Sequence, residues 1–137
     1  MAEISINLIW KLENGEMLPG KYSNKHQVIF TPNIKITGDS APEWRGNKLN
    51  TNPEQTLAAS ISSCHMMTFL ALAAKMKWPV IGYEDKAVVS EIKLNPKIEF
   101  SNDFVVDNKE MEKMQDRAHR YCFISNSLSD EVKVLIN

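Results

Sequence analysis

An α+β fold is predicted by three features of the 137-residue chain. Apolar residues alternate near the N-terminus, an almost uncharged helix-forming segment occupies the middle, and a second helical period follows further extended runs. The resulting order is strands, helix, strands, helix, strand. A chain of this length closes a core without disulfide or metal staples, so residues 1–137 are read as a single domain.

The first strands are expected within residues 3–37. In "EISINLIWKLE", Ile4, Ile6, Leu8 and Trp10 fall on alternating positions, and "KYSNKHQVIFT" and "NIKITG" continue the pattern as an antiparallel meander. "LPGK" and "TPN" supply the turns. "DSAPEWRGNKLNT" lacks an apolar period and holds a proline and a glycine, so it reads as a loop leading to the central helix.

That helix is expected over residues 53–77. Asn52 can cap it, Pro53 suits the first helical position and Gln55 stands three residues after the cap. Glu54 in the first turn suits the positive end of the dipole. Lys75 and Lys77 mark the last turn, and Trp78-Pro79 lies beyond. Leu57, Ile61, Met66, Phe69, Leu70 and Leu72 point around much of the circumference, so the helix is expected to be buried all round. One small domain has few ways to wrap so long a helix, which predicts that a second subunit supplies part of the cover.

Residues 80–106, "VIGYEDKAVVSEIKLNPKIEFSNDFVV", are rich in Val and Ile and read as two paired strands interrupted at Asn95-Pro96. A second helix is expected over residues 108–122, with Asp107 as cap and Glu110 at the third position. Met111, Met114, Ala118, Tyr121 and Cys122 recur at helical spacing, which places Cys122 at the end of a buried stripe. A final strand is expected over residues 131–136.

Composition removes several functions. The net charge is −1 and lysines and glutamates are interleaved, so no basic stripe exists for nucleic acid. No basic region followed by an apolar run and a cleavage site opens the chain, which reads as cytoplasmic. The apolar stretch 58–74 falls short of the roughly 20 residues of a membrane span and contains Ser60, Ser62, Ser63, His65 and Thr68. No metal, nucleotide or flavin motif is present, so no cofactor is expected.

The two cysteines, Cys64 and Cys122, are far apart in sequence and do not form the framework of a small secreted protein. Buried inert thiols, metal ligands and redox centres remain open for them. His65 adjoins Cys64, but helical neighbours point about 100° apart, which disfavours a Cys-His dyad. Cys122 at a helix C-terminus meets the negative end of the dipole, which disfavours its thiolate. His119 stands three residues earlier on the same face, but a zinc site needs two further ligands.

The segments "NPEQTLAASISSCHMMTFLALAAK" and "AHRYCFISNSLSDEVKV" together resemble the paired cysteine motifs of the OsmC/Ohr family of organic hydroperoxide reductases, on the OsmC-like branch. The resemblance runs from about residue 22 to the C-terminus. It implies antiparallel sheets wrapped around two central helices in an intertwined homodimer. It also implies peroxidase chemistry, with Cys64 as the peroxidatic thiol, Cys122 as the resolving thiol and an external dithiol as reductant. An organic hydroperoxide is the expected substrate because Cys64 is set among apolar residues.

A buried thiol needs a positive partner to ionise. The family supplies an arginine held by a glutamate, which the resemblance carries onto Arg45 in "EWRGNKLNTNPE" and Glu54 in "NPEQ"; no arginine precedes residue 45. Ten residues of unbroken helix put Glu54 about 15 Å from Cys64. It would therefore act through a helix break or across a dimer. Met66, Phe69 and Trp44 are candidate pocket walls, and His26, His65 and His119 are expected to be structural or site-lining. The rival reading is a binding protein on the same fold that holds a small ligand or senses electrophiles without turnover.

Overall fold

The computed structural model describes residues 3–88, 92–101, 103–126, 128 and 132–137. They group into two compact units, Met1–Thr56 and Leu57–Asn137. Residues 89–91 and 102 of the long extended run, and residue 131 at the start of the expected final strand, lie outside the described residues.

In the first unit, strands β1 (Asn7–Ile9), β2 (His26–Thr31) and β3 (Ile34–Gly38) form an antiparallel meander in the order β1-β2-β3. Leu8 faces Val28 and Gln27 faces Thr37, with a register shift between Ile29 and Thr31 at the Pro32-Asn33 turn. The strand after this turn delivers Asp39, whose carboxylate organises the next loop. Oδ1 accepts from the Ser40 N–H at 2.7 Å and Oδ2 from the Asn47 N–H at 3.0 Å. A 3-10 turn over Pro42–Trp44 follows, and Arg45 ends it in the left-handed region at φ 70°. Gly46 is required there, because a Cβ would fall 1.6 Å from the Ser40 carbonyl oxygen.

Helix α1 (Pro53–Lys75) starts at Asn52, whose Oδ1 accepts from the Gln55 N–H at 2.8 Å. Its end is a Schellman motif. Trp78 N–H donates to the Ala73 carbonyl at 2.9 Å and Lys77 N–H to that of Ala74 at 3.1 Å, with Lys77 left-handed at φ 59°. By length and composition alone its 23 residues could cross a membrane, a test that the core helices of soluble proteins also pass.

The second unit packs α1 with strands β4 (Val80–Asp85), β5 (Ile92–Leu94), β6 (Pro96–Phe100) and β7 (Val134–Ile136), and with helices α2 (Asn108–Tyr121) and α3 (Phe123–Asn126). β4 pairs antiparallel with β6, as in the meander of the first unit, whereas β5 pairs parallel with β7. The intervening β6, α2 and α3 return the chain to run in the same direction, as a parallel pair requires.

One core cluster joins Phe69 and Ala73 of α1 to Met114 and Ala118 of α2, with Trp78, Tyr83 and Ile98 packed against it. The other joins Ile61 to Leu94, with Ile124, Val134 and Ile136 around it. Along α1 the buried residues are Ala58, Ile61, His65, Phe69 and Ala73, a single stripe at three- and four-residue spacing. Within one chain α1 is therefore not buried all round: Leu57 and Met67 are exposed. On α2, Tyr121 is also exposed, and Gln115 takes a place in the buried stripe instead.

Candidate functional site

The i, i+4 stripe that seats Ile61 and Phe69 in the core leaves Cys64 at its edge, partly exposed. Its carbonyl accepts from the Thr68 hydroxyl at 2.8 Å. Cys122 ends α2 and is fully buried. Neither thiol is in a disulfide, and the two are in hydrogen-bond contact, the Cys64 S–H being one of the donors to the Cys122 sulfur. Residues 58 positions apart in the chain thus meet at one point.

Cys122 departs from the expectation set by the C-terminus of α2. It also precedes α3, and the Asn126 N–H donates to its carbonyl at 3.0 Å, so the chain turns at Cys122 into a new helical turn. Burial pushes the thiol pKa up, but donors outweigh it: the Ser125 hydroxyl, the Ser125 N–H, the Cys64 thiol and the Ile124 N–H. The net result is a thiol held below its ordinary range. The opposing dipole of α2 is answered by local N–H groups from the turn after it.

Ser125 was not singled out by the sequence reading. Its signal is the spacing Cys122-Phe123-Ile124-Ser125, which mimics a capping box with sulfur in place of the cap oxygen. The Ser125 hydroxyl is buried near that sulfur but makes no hydrogen bond of ordinary geometry among the described residues.

His65, next to Cys64, is turned into the core and fully buried. Its Nε2 lies 2.6 Å from Gln115 Oε1, which accepts only, so Nε2 carries the proton and Nδ1 is a buried lone pair without a partner among the described residues. Burial is the largest influence on its pKa, which lies below the ordinary imidazole value. His119 lines a cavity of about 440 Å3 with Ser125, Asn126 and Lys133 among others. Among the described residues, no three His, Cys, Asp or Glu side chains converge as metal ligands.

Glu54 and Arg45 lie in the first unit. Glu54 occupies the exposed first turn of α1 and lines a cavity of about 380 Å3 with His26, Asp39, Ser40 and Trp44, among others. Arg45 is exposed at the end of the 3-10 turn, and its Nη1 passes 3.6 Å from the position a Gly20 Cβ would take. α1 is continuous from Pro53 to Lys75. Of the candidate pocket walls, Trp44 lines the Glu54 cavity, Met66 is partly buried, and Phe69 is a fully buried core residue rather than a wall.

The OsmC-like protein family model matches residues 46–137, about two-thirds of the chain and both cysteines. The structure is similar to that of an OsmC-like protein of unknown function from Vibrio cholerae, at 32% identity and a TM-score of 0.87, covering 100% of this chain and 99% of that one. It shares its fold with an organic hydroperoxide resistance protein OsmC from Legionella pneumophila (21% identity, TM-score 0.64, 99% and 97% covered). The same holds for the organic hydroperoxide resistance protein OhrB of Bacillus subtilis (14% identity, TM-score 0.66, 97% and 95% covered). No curated protein matches the sequence. The α+β architecture, the helix carrying Cys64 and the turn carrying Cys122 lead to one assignment: this chain belongs to the OsmC-like protein family.

Proposed function

We propose that the protein is a cysteine-based peroxidase that reduces organic hydroperoxides in the cytoplasm, with Cys64 as the peroxidatic and Cys122 as the resolving thiol. The contact between a partly exposed Cys64 and a buried, hydrogen-bonded Cys122 carries this reading. The Cys64 sulfur, its proton lost to water, attacks the peroxide. An S–O bond forms, the O–O bond breaks, and the departing alkoxide is protonated by water to the alcohol. Cys122 then attacks the Cys64 sulfenic acid, forming the disulfide and releasing water. An external dithiol returns the pair to the reduced state.

The working form is proposed to be a homodimer. Support comes from apolar side chains left uncovered in one chain, Leu8 and Ile4 on the N-terminal arm and Leu57 and Met67 on α1. Glu54 and Arg45 are proposed to support the thiol across that dimer.

The test is thiol counting by intact mass after one equivalent of an organic hydroperoxide, with wild type and Cys122→Ser. Rapid loss of both thiols in the wild type and sulfenic acid in the variant is expected. Thiols that survive at the rate of free cysteine refute the peroxidase reading.

A further inference from the structure

Two polar side chains flank Cys64 in sequence, and each is bonded to a different element of the second unit. Two residues before it, the Ser62 hydroxyl donates to Asp85 Oδ2 at the end of β4. One residue after it, the His65 Nε2–H donates to Gln115 Oε1 on α2 at 2.6 Å. Ser62 and His65 stand three apart, so both bonds leave the same face of α1, and Cys64 points about 100° away from His65.

Asp85 is fixed from its other side as well. Its Oδ1 accepts from the Asn95 N–H at 2.6 Å. The Asn95 amide donates to the Lys86 carbonyl at 2.9 Å and accepts from Asn137 Nδ2 at 3.1 Å. Asn137, just past β7, closes this chain by donating its N–H to the Leu94 carbonyl at 2.9 Å. One carboxylate thus ties Ser62 to the β4–β6 pair, where Asp85 stands opposite Pro96, and through Asn95 to the β5–β7 pair. A carboxylate suits the place because each oxygen takes a different donor, whereas an amide would turn its NH2 toward one of them.

A disulfide demands Cβ atoms about 3.5–4.5 Å apart and a narrow dihedral range. Rotation of α1 about its axis carries the Cys64 side chain with it, so the setting of Ser62 and His65 decides where that thiol points. We propose that Asp85 is a positioning residue for the thiol pair: by holding Ser62 it fixes the rotation of α1 at which Cys64 bonds to Cys122. This inference rests on the Cys64–Cys122 disulfide of the function proposed above. Asp85 acts through Ser62 and the helix backbone and takes no part in the bonds made and broken. The His65–Gln115 bond holds the same face, so loss of the Ser62 bond weakens the setting without abolishing it.

The experiment measures the reduction potential of the Cys64–Cys122 pair in glutathione redox buffers at pH 7.5, together with urea midpoints of the reduced and oxidised forms. In Ser62→Ala and in Asp85→Asn the equilibrium constant for forming the disulfide is expected to fall about tenfold, a rise of about 30 mV in potential. Ser62→Thr keeps the hydroxyl and is expected to keep the wild-type potential. Ser62→Ala leaves the Asp85 charge in place, so a shift shared by the two variants comes from the bond and not from charge. The double variant is expected to match either single one, because both remove the same interaction. A merely structural contact would lower the urea midpoints of both forms equally and leave the potential at the wild-type value; that result overturns the proposal, as does a shift in Asp85→Asn alone. If the wild type forms no intrachain disulfide in any buffer, this inference and the resolving role of Cys122 fall together. Shifted potentials in a protein that leaves organic hydroperoxide unreduced sustain the inference and refute only the peroxidase.

Discussion

The His65 imidazole on α1 and the Gln115 amide on α2 meet at 2.6 Å inside the core, the histidine fully buried and the glutamine nearly so. Gln115 also reaches back to the Met111 sulfur at 3.9 Å. This polar link joins the two helices that carry the cysteines, among otherwise apolar contacts.

Gln115→Leu leaves the His65 N–H buried without a partner. The expected loss is about 1–3 kcal/mol, the cost of an unsatisfied buried donor. Urea unfolding of the reduced protein measures it; a midpoint equal to wild type would show that the link contributes nothing.

His65 also predicts an acid-side loss of stability. Burial is the main reason its folded pKa is lowered; the Gln115 bond opposes this, His119 adds to it and Asp85 opposes it more weakly. The unfolded chain takes up the proton near about 6.5, while the folded chain resists it. The contribution is therefore complete above that value and is lost as pH falls toward the lowered folded pKa. Urea midpoints at pH 7.5 and 5.5 should diverge more for wild type than for His65→Gln; parallel losses would contradict this origin.

Lys77 holds the left-handed position of the α1 Schellman motif, which glycine occupies without steric cost. Lys77→Gly is expected to stabilise the protein by up to about 1 kcal/mol, because the side chain is exposed and the strain is relieved. Thermal unfolding decides, and a lower melting temperature would mean that the lysine side chain stabilises the helix end.

Tyr83 contacts Phe69 through its ring at a centroid distance of 5.9 Å, but its hydroxyl is buried without a hydrogen-bond partner among the described residues. Removing an unsatisfied polar atom while keeping the ring is favourable or neutral. Tyr83→Phe should match or exceed wild type in urea; a loss above about 1 kcal/mol would reveal a partner for the hydroxyl.

Local signals were legible wherever a residue acts on its own stretch of backbone. Asn52 and Asp107 cap α1 and α2, with Asp107 Oδ1 accepting from the Glu110 N–H at 2.8 Å. Pro32-Asn33 turns β2 into β3. The motifs around Cys64 and Cys122 were enough to suggest the family, because their spacing is carried in the chain itself.

What sequence alone left undecided depends on partners distant along the chain. Apolar residues all around α1 do not say which stripe the chain will cover, and only packing selected Ala58, Ile61, His65, Phe69 and Ala73. Nothing near His65 announces Gln115, fifty residues away. The parallel pairing of β5 with β7 was equally hidden, since strand direction follows from how the connection returns and not from local preference. The character of Cys122 reversed for the same kind of reason. Its place at the end of α2 can be read from periodicity, but its environment is set by where the next turn directs the N–H groups of Ile124 and Ser125 and by which thiol α1 presents to it. Sequence determined the helices, caps and thiols of this protein; tertiary structure decided which groups face them, because that choice depends on burial and contact between segments far apart in the chain.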